Sequence, residues 1–123
     1  MATILMVDDD DNCRMLLGEA LRHAGHVVVE AENGKIGLEI FNQHTIDLII
    51  TDIFMPVMDG IDLLAAVLSE RPGSKVIAIS GGGKAMNAGL ILGMAQSFGA
   101  IEMISKPFHL VSVLRRIEAV LQR

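Results

Sequence analysis

Short apolar runs alternate with amphipathic stretches along the whole chain. Thr3 to Val7 is a compact apolar run closed by an acidic block, which predicts a strand. From about Asp11 to Ala24, Cys13, Leu16, Leu17, Ala20, Leu21 and Ala24 recur at helical spacing, and Gly25 is a natural helix stop. Val27 to Val29 predicts the second strand; Ile36, Leu38, Ile40 and Phe41 predict a second helix over Lys35 to Gln43. Leu48 to Thr51 reads as the third strand. The third helix carries Leu63, Leu64, Val67 and Leu68 and ends before Pro72-Gly73. Val76 to Ile79 predicts a fourth strand, followed by a helix from near Asn87 to Phe98 closed by Gly99. Glu102 to Ser105 makes a short fifth strand, and Leu110 to Leu121 a final helix.

Five strand-then-helix units predict one α/β domain over residues 1–123: a doubly wound, five-stranded parallel sheet with helices on both faces. The strands are near-continuous apolar runs, as expected where both sheet faces are covered. In such sheets the functional site lies at the carboxyl ends of the strands. Those ends carry Asp8 and Asp9, Asp52, Ser80 and Lys106. Asp52 is the telling one. It follows directly on Leu48-Ile49-Ile50-Thr51, where an unpaired charge is costly.

Charge sharpens the picture. Fifteen acidic against ten basic residues give −5, and Asp8 to Asp11 with Asp52 would account for the whole excess. The remainder is balanced, which argues against a nucleic-acid surface and against adhesion to an anionic membrane. No unbroken apolar stretch is long enough to cross a bilayer, and no basic segment precedes an apolar run at the amino terminus. The single Cys13 cannot form an internal disulfide, so a cytoplasmic location is expected.

The segments "ILMVDDDD", "DLIITDIFMPVMDG", "VIAISGGG" and "GAIEMISKPF", in this order, resemble the receiver domain of two-component response regulators, the family of the single-domain chemotaxis response regulator. The resemblance implies the flavodoxin-like (βα)5 fold and a phosphorelay role. Asp52 would be the phosphoacceptor, a carboxylate nucleophile forming an acyl phosphate. Asp8, Asp9, Asp52 and the backbone carbonyl of Phe54 would bind one Mg²⁺, Asp9 directly and Asp8 partly through water. Lys106 would pair with the carboxylates at rest and with the phosphoryl group afterwards, next to a Lys106-Pro107 bond that is usually cis in the family. The Ser80 hydroxyl would swing to a phosphoryl oxygen as the switch. The implied partners are a histidine kinase or histidine phosphotransfer protein, and a downstream protein on the face of the fourth helix, fifth strand and fifth helix. The chain would carry no output domain of its own and act as a monomer or weak dimer. It would be no enzyme towards other molecules, catalysing only its own phosphorylation and dephosphorylation.

Three departures from the family pattern stand out. Met103 takes the position where the family often has an aromatic ring that turns inward, and the chain has no Tyr or Trp. The segment from Gly81 to Phe98 is longer than usual, and its Gly81-Gly82-Gly83 start suggests a mobile reporter replacing that ring. Phe54, two residues past Asp52, is a bulky ring able to keep water from the acyl phosphate.

Other residues read more plainly. Asp10 and Asp11 are expected to cap the first helix, and Asp59-Gly60 to be turn chemistry only. His23 and His26 lack a metal-ligand set; His44 and His109 read as surface or structural, and Cys13 as packed. An aspartyl-phosphate phosphohydrolase of the haloacid dehalogenase type is the alternative, since Asp8 and Asp10 have its Asp-x-Asp spacing. The chain is short for its substrate pocket, and Asp52 and Lys106 would be left unexplained. A flavodoxin-like cofactor binder lacks Trp and Tyr for stacking, and its phosphate would meet an acidic rim.

Overall fold

The computed structural model describes residues 1–81 and 88–123, the side chains of 88–92 excepted. Strands β1 (Thr3–Val7), β2 (Val27–Ala31), β3 (Leu48–Asp52), β4 (Val76–Ser80) and β5 (Glu102–Ser105) alternate with helices α1 (Asp11–His23), α2 (Gly34–Gln43), α3 (Gly60–Glu70), α4 (Ala88–Ser97) and α5 (Leu110–Leu121). All strand pairs are parallel, in the order β2-β1-β3-β4-β5. The doubly wound sheet expected from the sequence is the one observed. β1 and β3 occupy the centre, so Asp8 and Asp52 leave the sheet side by side.

Alternate strand residues feed two cores, because side chains on a strand point to opposite faces. Leu5, Val7, Ile49, Val76 and Ala78 pack with Phe41 of α2, Leu63, Leu64 and Val67 of α3 and Ala95 of α4. Ile4, Met6, Leu48, Ile50, Ile77 and Ile79 pack with Leu17 and Leu21 of α1 and Val113, Ile117 and Val120 of α5. Helices thus cover both faces, leaving only the sheet's ends open to chemistry.

Helices α1, α2 and α3 start on capping side chains. Asp10 accepts from the N–H groups of Asn12 and Cys13, Asn33 from that of Ile36, and Asp59 from that of Asp62. Gly25 and Gly99 close α1 and α4 in the left-handed region that favours glycine. The expected strand ends need small corrections: β2 continues through Glu30 to Ala31, β3 includes Asp52 and β4 includes Ser80. In each case a polar residue that looked like a strand terminator belongs to the ladder. The anticipated start of the fourth helix near Asn87 and most of the glycine-rich segment fall on residues 82–87, outside those described.

Candidate functional site

Asp52 ends the middle strand with only 6% of its surface exposed. Its Oδ1 accepts from the Ile53 N–H at 2.9 Å, and that N–H also reaches the Ile79 carbonyl on β4 at 3.0 Å. The Thr51 hydroxyl donates to the Asp52 carbonyl at 2.8 Å. Main chain and carboxylate are therefore both tied down, and the other carboxylate oxygen faces the strand-end rim.

Asp8 is fully buried beside it. Its Oδ2 accepts from the Lys106 ammonium at 2.9 Å, while Lys106 stands 3.8 Å from Asp52 Oδ2. The lysine is placed by β5, whose end is tied to β4 by the Lys106 N–H donating to the Ser80 carbonyl at 2.8 Å. The Lys106-Pro107 peptide that follows is cis, as the family resemblance implied. Asp9 is exposed. One carboxylate oxygen each from Asp8, Asp9 and Asp52 lies within 4.8 Å of the others. Ser80 is fully buried at the end of β4, on the same rim.

Electrostatics follow from this crowding. Burial, reinforced by the negative charge of Asp8, pushes the Asp52 carboxyl up to about 7, against the opposing pull of Lys106. Burial disfavours the Lys106 ammonium, but its bond to Asp8 and the charge of Asp52 outweigh that and hold its pKa above the usual value. Three carboxylates answered by one ammonium leave net negative charge in a partly dehydrated site. A hard dication with oxygen ligands fits that donor set, and Asp8, Asp9 and Asp52 are the residues able to hold it.

Part of the site was not foreseen. Gly60 does more than turn the chain: its N–H donates to the Ile53 carbonyl at 2.8 Å, and a Cβ there would stand 2.8 Å from the Ile53 Cα. The start of α3 thus rests directly on the backbone that follows Asp52. Cys13, expected to be merely packed, is half-buried next to Asp8; burial and then the Asp8 charge push its thiol up to about 12, so it stays protonated. Arg14 donates to the Asp8 carbonyl at 2.6 Å. It sits on α1 one turn past the acidic block, a spacing that was the only sequence clue.

Asp10 is occupied as the cap of α1, so the Asp-x-Asp pair is not a second acidic centre. His26, which the sequence left without a metal-ligand set, is a structural residue: Nδ1 accepts from the Ala2 N–H at 3.1 Å, and Nε2 lies 2.6 Å from Glu118. Phe54 lies just past β3 with 45% of its surface exposed. A cavity of about 420 Å³ beside the rim is lined by Cys13, Leu16, Gly81, Lys106, Pro107 and Phe108. A larger one, about 590 Å³, opens around Ala2, His26 and Lys75 at the opposite end of the strands and contributes nothing to the site.

The family model for the response regulator receiver domain matches residues 4–118. The chain belongs to this family. The response regulator receiver protein CpdR of Brucella abortus is 34% identical over 98% of both chains. The transcriptional regulatory protein GlrR of Escherichia coli is also 34% identical over 99% of this chain, but the receiver spans only 27% of that relative's length. Among solved structures, a CheY-like receiver domain protein from Methanospirillum hungatei superimposes with a TM-score of 0.88 at 29% identity, covering 99% of this chain and 94% of that one. The response regulator TrrA of Thermotoga maritima, crystallised with Mg²⁺ and BeF, gives 0.85 at 28% identity, covering 98% and 99%. Receiver domains pair with histidine kinases or phosphotransfer proteins, and the haloacid dehalogenase and cofactor-binding alternatives are set aside. Among the described residues no helix is long and apolar enough to cross a membrane.

Proposed function

We propose that this receiver accepts a phosphoryl group on Asp52 from a histidine kinase or phosphotransfer protein and thereby changes a protein-binding surface. The observation that carries the reading is the buried Asp52 carboxylate, with ligand oxygens of Asp8 and Asp9 within 4.8 Å and the Lys106 ammonium at 3.8 Å. An Asp52 oxygen attacks phosphorus, and the bond from phosphorus to the donor's leaving atom breaks, leaving an acyl phosphate. Asp8, Asp9, Asp52 and the Phe54 carbonyl would hold Mg²⁺, which when bound would neutralise charge on the phosphoryl oxygens. Lys106 is close enough to exchange Asp52 for a phosphoryl oxygen with a small side-chain movement. The buried Ser80 hydroxyl supplies a hydrogen bond to the same group and reports its arrival to β4.

Met103 cannot rotate as an aromatic ring does. It packs, half-buried, against the core formed with α2, α3 and α4, and its carbonyl accepts from Arg116 of α5 at 2.6 Å. The surface around α4, β5 and α5, with Phe98 and Val111 exposed, is our choice for the downstream contact. The test is stoichiometric labelling by acetyl phosphate read by intact mass. One phosphoryl group should be added to the protein, and none after Asp52→Asn or in excess chelator. Undiminished labelling of Asp52→Asn rejects the assignment, and turnover of a generic phosphomonoester would favour a hydrolase.

A further inference from the structure

Each of the four polar atoms of buried Asp8 has a different partner. Its carboxylate accepts from the Asp10 N–H and from Lys106, both at 2.9 Å. Its N–H donates to the Ala31 carbonyl of β2 at 3.1 Å. Its carbonyl accepts from Arg14 Nη1 at 2.6 Å. The first two bonds orient the carboxylate and the third belongs to the sheet. The fourth, from a cation outside the expected site, needs its own explanation.

The Arg14 guanidinium is gripped on every side that faces protein. Nε donates to Glu30 Oε1 at 3.1 Å and Nη2 to Asp11 Oδ1 at 2.6 Å, and the side chain is only 14% exposed. Burial works against its charge, but the hydrogen bonds it donates to Asp11 and Glu30 outweigh that and hold its pKa above the usual value. Glu30 is fixed in turn, with Oε2 accepting from Arg22 Nη2 at 2.9 Å. Opposite it stands Gly18 of α1, where a Cβ would lie 3.3 Å from Glu30 Oε2, so the small residue leaves the carboxylate its place. A planar fork of donors serves three acceptors in three directions; an ammonium on a flexible stem does not.

The geometry points to Arg14 as a positioning residue for the phosphoryl-transfer site, locking the Asp8 main chain to β2 so that its carboxylate meets cation and lysine at a fixed angle; this rests on the receiver chemistry proposed above. Simple charge argues the other way. A cation beside a dication site repels the dication, so a residue acting only through its field would tighten Mg²⁺ binding when removed. A residue that orients a metal ligand weakens binding when removed, by about tenfold or more. The sign of the change separates the two roles.

The experiment is Mg²⁺ titration of the full chain, by calorimetry and amide NMR, for wild type, Arg14→Gln, Arg14→Lys and Asp11→Asn. Arg14→Gln is expected to bind Mg²⁺ about tenfold more weakly and to exchange the Asp10 amide faster, since that N–H donates to Asp8. Arg14→Lys restores the charge without the fork and stays weaker than wild type. Asp11→Asn keeps an amide oxygen as acceptor for Nη2, loses only the charge of a largely exposed carboxylate, and stays within about twofold. Unchanged or tighter Mg²⁺ binding by folded Arg14→Gln overturns the assignment. Should that variant not fold, wild-type affinity in Arg14→Lys overturns it instead. Wild type that takes up no Mg²⁺ sinks the receiver chemistry and Arg14 with it, whereas Mg²⁺ binding by wild type that the variants share sinks Arg14 alone.

Discussion

Val57 holds φ at 72°, a left-handed conformation that its branched side chain resists, and 75% of its surface is exposed. No packing repays that strain, which is of the order of 1–3 kcal/mol for such residues. Val57→Asn is therefore expected to stabilise the fold by about 1 kcal/mol, visible as a rise of several degrees in the thermal midpoint. A fall in the midpoint would mean that the valine makes a contact offsetting its backbone. Three residues earlier, Phe54 stands half-exposed beside the acid it is expected to shield. Replacing the ring with a small polar side chain opens a path for water and gives that water a hydrogen-bond partner. The acyl phosphate of Phe54→Asn should decay up to about tenfold faster, equivalent to about 1.4 kcal/mol in the barrier. Decay is followed by intact mass after removal of acetyl phosphate, and an unchanged rate excludes the ring as the shield.

At the scale of elements, α3 and the β3 exit are one unit. Asp59 caps the helix, Gly60 donates to the Ile53 carbonyl, and no room remains for a side chain at Gly60. Gly60→Ala is expected to lift α3 off the strand end, lowering stability by about 2–3 kcal/mol and slowing labelling by acetyl phosphate. Gly73→Ala, where a Cβ meets nothing within 4 Å, serves as the control and should change neither urea midpoint nor labelling. The sheet and all five helices were legible in the sequence because their apolar periodicities are clean. The chain ends of the strands were legible as a rim because parallel topology gathers them. Arg14 and Gly60 were not, and for different reasons. Arg14 acts through a carbonyl and through Glu30, a residue that seemed to end β2 but lies within it. Gly60 acts by what it lacks, and a Asp-Gly pair reads as a turn whether or not a strand lies beneath it.

For the molecule as a whole, the acidic rim sets function against stability. In the folded protein without metal, Asp52 takes up its proton near pH 7; in the unfolded chain it does so near 3.8. Below the lower value both states are protonated and the residue is neutral to folding. As pH rises between the two, the unfolded state releases its proton first, so folding loses stability until Asp52 ionises in the native state as well. The span corresponds to about 4 kcal/mol undamped, and about 2 kcal/mol once solvent and counterions screen it. Asp52→Asn removes the titration. In chelator its stability should exceed that of wild type by about 2 kcal/mol at pH 8, with the advantage shrinking toward pH 4. Mg²⁺ should reverse the ranking, because it binds the folded wild type and adds stability in proportion to the logarithm of its concentration, while the asparagine offers it a poorer ligand. Urea unfolding across pH, with and without Mg²⁺, reads both effects. Parallel curves for the two proteins at all pH values would show that Asp52 carries no strain from its acidic neighbours, and the electrostatic account of the site would fall with that result.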